Sequence, residues 1–241
     1  MAKHRAGAAI QRGLMTSTAT VKLDDERYFQ VAPSNSFTER LLIRARARIY
    51  EDFVACCHPT PDSTILDVGV TDIITDGANP IERHHPHPRQ ITGAGLASGE
   101  GIAEAYGLAR YVQIEANARL PFEDNAFDIV TSNAVIEHVG SRAMQHAFVK
   151  ELARVGRQVF ISAPNRYFPV EHHTAVPLLH FWRPSFALAC TALGKTEWLG
   201  DDYLILTSMK DLKATNPSAR FGYTGLALGP FSSNLFMHFV A

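Results

Sequence analysis

Thr64-Ile65-Leu66-Asp67-Val68-Gly69 is an apolar run closed by an acid and a glycine. It is too short and too apolar for a surface helix. It fits a strand buried on both faces, the setting of a parallel sheet. Gly69 lets the chain turn sharply and leaves backbone open to a ligand, with no side chain intervening. Open parallel sheets bind ligands beyond the carboxyl ends of their strands, where the strand order reverses. Taken alone, Asp67-Val68-Gly69 is equally a strand running into a turn, so the decision rests on its surroundings.

Upstream, residues 1–24 read as a disordered tail with Lys3, Arg5, Arg12 and Lys22 and no acid before Asp24, a bias shared by organelle transit peptides. Ser36-Phe37-Thr38-Glu39 has the capping-box pattern that opens a helix. Leu42, Ala45, Ile49, Phe53 and Cys56 then repeat at helical spacing, with Arg40, Arg44 and Arg48 on another face, until His58-Pro59-Thr60-Pro61 stops the helix. This helix is expected to pack beside the ligand cleft.

Downstream, residues 71–89 are predicted to be a long loop, and His84-His85-Pro86-His87 within it a solvated stretch. Residues 90–96, 110–115 and 127–133 read as strands, with a short helix over 99–106. Ser141 caps the next helix, whose apolar stripe is Met144, Phe148, Leu152 and Val155, and Gly156 ends it. Residues 157–163 form a fifth strand, 164–215 an irregular insert on the substrate side, and 220–228 and 234–240 two closing strands. Alternating strands and helices imply right-handed parallel crossovers. A closing pair joined by a short turn must be antiparallel. The fold class is therefore α/β: a Rossmann-like, seven-stranded, mostly parallel sheet with an antiparallel last strand and helices on both faces, in one domain over 25–241.

The chain has 241 residues, 46% hydrophobic and 20% charged, with a formal net charge of -1. That is the balance of an ordinary globular protein and gives no excess positive charge for a nucleic-acid backbone. Three cysteines, two of them adjacent and none in a Cys-x-x-Cys pair, disfavour a disulfide framework or a zinc site. They read as buried thiols of a cytoplasmic protein. No stretch is long and apolar enough to span a membrane.

Leu120-Pro121-Phe122-Glu123-Asp124-Asn125-Ala126-Phe127-Asp128, followed by Asn133-Ala134-Val135-Ile136-Glu137-His138-Val139, is the most specific pattern in the chain. With the 64–69 strand it resembles class I S-adenosylmethionine-dependent methyltransferases, in particular the type 11-like methyltransferase domain family. The resemblance covers about residues 60–241. It implies S-adenosyl-L-methionine as cofactor, held by Asp67, Gly69 and Val70 at the first strand, Gly95 at the second, Glu115 and Ala116 at the third, and Asn133 and Ala134 at the fourth. Two positions depart from the family. Thr71 stands where a second glycine is usual, and Gly95 stands where an acid usually binds the ribose; Glu100 is the nearest substitute.

Pro164-Asn165-Arg166 and Phe168-Pro169-Val170-Glu171-His172-His173-Thr174 resemble a bacterial subgroup of the same family. Glu171, His173 and His138 are the candidate catalytic residues, able to accept a proton from an oxygen or nitrogen nucleophile. Pinning the loop to the sheet is the competing role for Glu171 and His173. No metal is expected. Leu178 to Leu193 reads as packed lid and core, or as a wall for an apolar acceptor. The implied function is methyl transfer to a small-molecule, sugar or lipid acceptor. The alternative is a non-catalytic relative serving as a binding or partner subunit. A nicotinamide enzyme is disfavoured, because Gly-x-Gly-x-x-Gly is absent after the first strand.

Overall fold

The computed structural model describes residues 36–75, 77–174, 176–200 and 204–241. The tail over 1–24 lies outside them. Seven strands form one sheet: β1 (Ile65–Val68), β2 (Ile91–Gly95), β3 (Arg110–Gln113), β4 (Phe127–Asn133), β5 (Gly156–Pro164), β6 (Arg220–Thr224) and β7 (Asn234–Val240). Their spatial order is β3-β2-β1-β4-β5-β7-β6. Strands β1 to β5 pair in parallel, and β7 runs antiparallel to both β5 and β6. Strand order reverses between β1 and β4, which fixes the cleft above these two strands.

Among the described residues, six α-helices surround the sheet: α1 (Phe37–Cys57), α2 (Pro80–His84), α3 (Ile102–Tyr106), α4 (Arg142–Val155), α5 (Arg183–Ala192) and α6 (Met209–Thr215). Every residue of β1 is buried, as a central parallel strand requires. Its side chains alternate between two cores. Leu66 and Val68 join the core that contains Val149 and Leu152 of α4 and Leu212 of α6. Ile65 joins the other, with Ile49 and Phe53 of α1, Ile81 of α2 and Ile102 of α3. Phe53 meets Phe160 of β5 edge to face at 5.7 Å, which docks α1 on the sheet.

The capping serines behave as their patterns predict. Ser36 accepts from the Glu39 amide and Ser141 from the Met144 amide. Three expectations need correction. Residues 71–89 are not one long loop: Pro80 starts α2, since a proline at a helix's first position loses no internal bond. His85 is buried rather than solvated, with its Nδ1 3.3 Å from the Tyr50 hydroxyl. The buried stripe of α4 is Gln145, Val149, Leu152 and Val155, while Met144 is exposed. Gln145 takes the inward place because its amide donates to the Ile136 carbonyl at 2.9 Å.

The Leu120-Pro121-Phe122 segment is held by Arg154 of α4. Arg154 donates to the Phe122 carbonyl at 2.8 Å, to the Leu120 carbonyl at 3.0 Å and to Asp124 at 2.7 Å. Glu151, which Arg154 also binds, accepts from the Leu120 amide at 2.8 Å. Asp128 ties the start of β4 to that of β1 by accepting from the amide and hydroxyl of Thr64, each at 2.9 Å.

Candidate functional site

Asp67 occupies the α1–α2 side of β1, where it meets Glu82 of α2 and the charge of Arg46 of α1. Burial, and then the neighbouring Glu82, push the Asp67 carboxyl well above the usual carboxylate range. Burial raises Glu82 to about 7. Neither Glu82 oxygen has a hydrogen-bond partner of ordinary geometry, yet the two carboxyls lie close enough to perturb each other. Arg46 is pulled down to about 10 by burial, against the attraction of Glu137 and Asp67. Neither Arg46 nor Glu82 carries a sequence signal for this placement. Arg46 lies beside the apolar stripe of a helix, and Glu82 in a stretch that reads as loop.

The other residues expected to hold a cofactor sit along the rim of β1 to β4. Gly69 is exposed and has φ +107°, and a Cβ there would lie 2.1 Å from the Val135 side chain. The Val70 side chain turns the other way and packs in the core with Ile91, Ile102 and Leu108. Gly95 is buried, and a Cβ on it would meet the Val70 carbonyl at 2.2 Å and the Tyr111 hydroxyl at 2.4 Å. Glu115 and Ala116 are exposed just beyond β3. Asn133 and Ala134 are half-buried at the end of β4. The Asn133 side-chain oxygen accepts from the Ser162 hydroxyl. Ala134 holds φ +55°, an uncommon conformation for a residue with a Cβ, and its amide donates to the Ser162 carbonyl at 2.9 Å.

The candidate catalytic residues come together above β4 and β5. Glu137 and His138 lie on a 3-10 turn, Ile136–His138, directly after β4. The Glu137 carbonyl accepts from the Ile205 amide at 2.8 Å, so the insert clamps this turn. Glu171 and His173 follow β5. Glu171 accepts from the His173 Nδ1 at 2.8 Å, from the His173 amide at 3.0 Å, and from the amide and hydroxyl of Thr174 at 2.6 Å. Burial pushes Glu171 up, but these bonds outweigh it and leave the carboxyl at about 2. An ionised carboxylate only accepts, so the His173 Nδ1 carries the proton and its Nε2 is the nitrogen open to other partners.

The rings of His138 and His173 stand at 89° with centroids 4.9 Å apart, and Trp198 lies against His173 at 4.9 Å. Burial raises Glu137 to about 7, while His173, its own backbone and Arg46 oppose the shift. His172 is pushed down to about 4 by burial. Glu137, Arg166, Glu171, His172, His173 and His180 line a small cavity of about 10 Å³, room for about one water, at this end of the sheet. The hydrogen bonds of Glu171 also pin the loop, so its two competing roles coincide in one residue. Trp198, a wall of the site, was not visible in the sequence because nothing marks which insert residue folds back. The insert is less packed than expected: Leu178, Trp182, Leu188 and Leu193 are exposed, while Phe186 and Cys190 form a small core with Val176.

Residues 88–159 match the family described as methyltransferase domain. The strand order supplies the rest, an antiparallel β7 between β5 and β6. The chain has the fold of class I methyltransferases. The family match runs through β2, β3, β4 and α4 into β5. No curated protein sequence matches the chain. Solved structures share its fold. A methyltransferase from Thermotoga maritima, described as a possible histamine N-methyltransferase, aligns with TM-score 0.53 at 12% identity, over 84% of this chain and 90% of that one. Magnesium protoporphyrin IX methyltransferase from Synechocystis PCC 6803, with bound S-adenosylhomocysteine, gives 0.52 at 14%, over 90% and 91%. A match to the complex of a Haloferax volcanii methyltransferase activator with a putative methyltransferase gives 0.52 at 14%, over 82% and 90%.

Proposed function

We propose that this chain is a methyltransferase that moves a methyl group from S-adenosylmethionine to a small-molecule, sugar or lipid acceptor. The observation that carries the reading is the Glu171–His173 pair, set on the acceptor side of the cleft beside the turn that follows β4. The rim residues fit the cofactor at three of four positions. Gly69 offers exposed backbone, Glu115 and Ala116 are open at the end of β3, and Asn133 and Ala134 border the end of β4. The ribose position does not fit, since Gly95 is covered by Val70 and Tyr111 and brings no acid.

The cofactor supplies a methyl group already activated by the sulfonium charge. What remains for the protein is alignment and exclusion of water. Glu115 and Ala116 would hold the base, and Gly69 would leave room for the nucleoside with no side chain in the way. Asn133 and Ala134, anchored to Ser162, form the floor at the reactive end. On the acceptor side, His173 receives a proton at Nε2. Glu171 holds the ring through Nδ1 and stabilises the imidazolium that forms. His138 and Trp198 wall the ring in. The three buried free cysteines support a cytoplasmic setting within this proposal.

The covered ribose position favours a second reading, a binding or partner subunit that keeps the fold and has lost the donor. Titration calorimetry with S-adenosylhomocysteine separates the two. Saturable heat supports transfer, and its absence at millimolar ligand supports the partner subunit.

A further inference from the structure

We propose that Glu137, His138 and His173 form a binding site for a first-row divalent cation. One donor atom from each of the three lies within 4.8 Å of the other two. Donors around such a cation, at about 2.0–2.2 Å from it, lie roughly 3–4.4 Å apart. Small side-chain rotations therefore close the set.

The second observation is the state of Glu137. The residue is 1% exposed, and neither carboxylate oxygen has a hydrogen-bond partner of ordinary geometry. A buried carboxylate left this way is costly unless it is paired or ligates a cation. The Arg46 charge attracts Glu137 without supplying a hydrogen bond to it.

His173 is prepared as a ligand. Glu171 fixes its Nδ1 at 2.8 Å, which sets the tautomer and leaves Nε2 as the donor. A carboxylate behind a histidine is the usual outer-shell support of a metal-bound imidazole. The His138 Nε2 lies 3.9 Å from a Glu137 oxygen. Two imidazoles and one carboxylate suit zinc, manganese, iron(II) or cobalt better than calcium or magnesium, which prefer oxygen ligands alone. Glu137 and His173 also line the small cavity, which has room for about one water-sized ligand. A bound cation would occupy the Nε2 that otherwise takes the proton, and would itself lower the pKa of an acceptor oxygen. That use rests on the methyl-transfer reading, whereas cation binding does not.

The test is a titration of the metal-stripped full chain with cobalt(II), with no methyl donor or acceptor present, read by visible d–d absorption. One equivalent per chain is expected to give a saturating band. His138→Ala and Glu137→Gln are each expected to weaken binding at least tenfold, while far-UV circular dichroism stays unchanged. Glu171→Gln, a positioning change, is expected to weaken binding ten- to a hundredfold and to alter the band shape. The double variant H85A/H87A, which removes the other histidine cluster, should leave the band intact. No band at millimolar cobalt would overturn the site. So would a band that survives His138→Ala and Glu137→Gln, or one abolished by H85A/H87A.

Discussion

Glu171 and His173 share a hydrogen bond of 2.8 Å between carboxylate and Nδ1, and the same carboxylate also accepts from two backbone amides and the Thr174 hydroxyl. A carboxylate held this way orients the ring and anchors the loop at once. Its pKa of about 2 lies below that of an exposed glutamate. Its contribution to stability is therefore fully present above the unfolded value near 4.5 and is lost as pH falls through 2. The shift corresponds to about 3 kcal/mol at neutral pH. Glu171→Gln is expected to lose about that much in urea unfolding at pH 7, and progressively less as pH falls toward 2. Equal losses at both ends of that range would contradict the assignment.

Asp67 and Glu82 make the opposite prediction. Burial raises both carboxyls, Glu82 to about 7; Glu82 raises Asp67 further, whereas the Asp67 hydrogen bond lowers Glu82. The folded chain holds a proton that the unfolded chain releases near 4.5, so this pair removes stability as pH rises from 4.5 through 7. Glu82→Gln takes the titration away. It is expected to be more stable than the parent by about 3 kcal/mol at pH 8, with little difference at pH 5. Thermal unfolding at the two pH values checks the sign.

Gly69 is required by both conformation and space. With φ +107° and a Cβ position 2.1 Å from Val135, Gly69→Ala is expected to destabilise the chain by about 2–3 kcal/mol and to weaken donor binding. Shortening the neighbour in the double variant G69A/V135A should recover part of the stability but none of the backbone strain. A double-mutant cycle measures that coupling. Strictly additive effects would show that the Val135 contact is not the cause.

Arg154 is expected to matter more than an ordinary surface arginine. It closes the Leu120–Phe122 segment through two backbone carbonyls and two carboxylates. Arg154→Ala should cost about 2–3 kcal/mol and increase hydrogen exchange at the Leu120 and Phe122 amides ahead of the rest of the sheet. Arg154→Lys cannot make the fork and should recover less than half.

The sheet was legible because burial on both faces leaves a plain mark: β1, β4 and β5 are short apolar runs bounded by glycine, proline or acid. Gly69 and Asn133 were legible as rim positions because they end two of those runs, whereas Glu115 follows the partly exposed β3 and was placed by the family resemblance. Two things were not. The α4 stripe shifted by one position, since a glutamine that satisfies a buried carbonyl competes with a methionine for the inward face. The polar cluster draws Arg46, Glu82 and Trp198 from three elements distant in sequence, and only tertiary folding brings them to Asp67, Glu137 and His173. His138 and Glu137 were placed at the right turn, but their joint geometry with His173 depends on how the insert closes over them.

Binding of the methyl donor tests the central claim most directly. Titrating S-adenosylmethionine into the full chain by calorimetry is expected to give saturable one-to-one binding, weakened about tenfold by Glu115→Ala through loss of a hydrogen bond to the base. No heat at millimolar ligand, or binding that Glu115→Ala and Gly69→Ala both leave unchanged, would contradict the account.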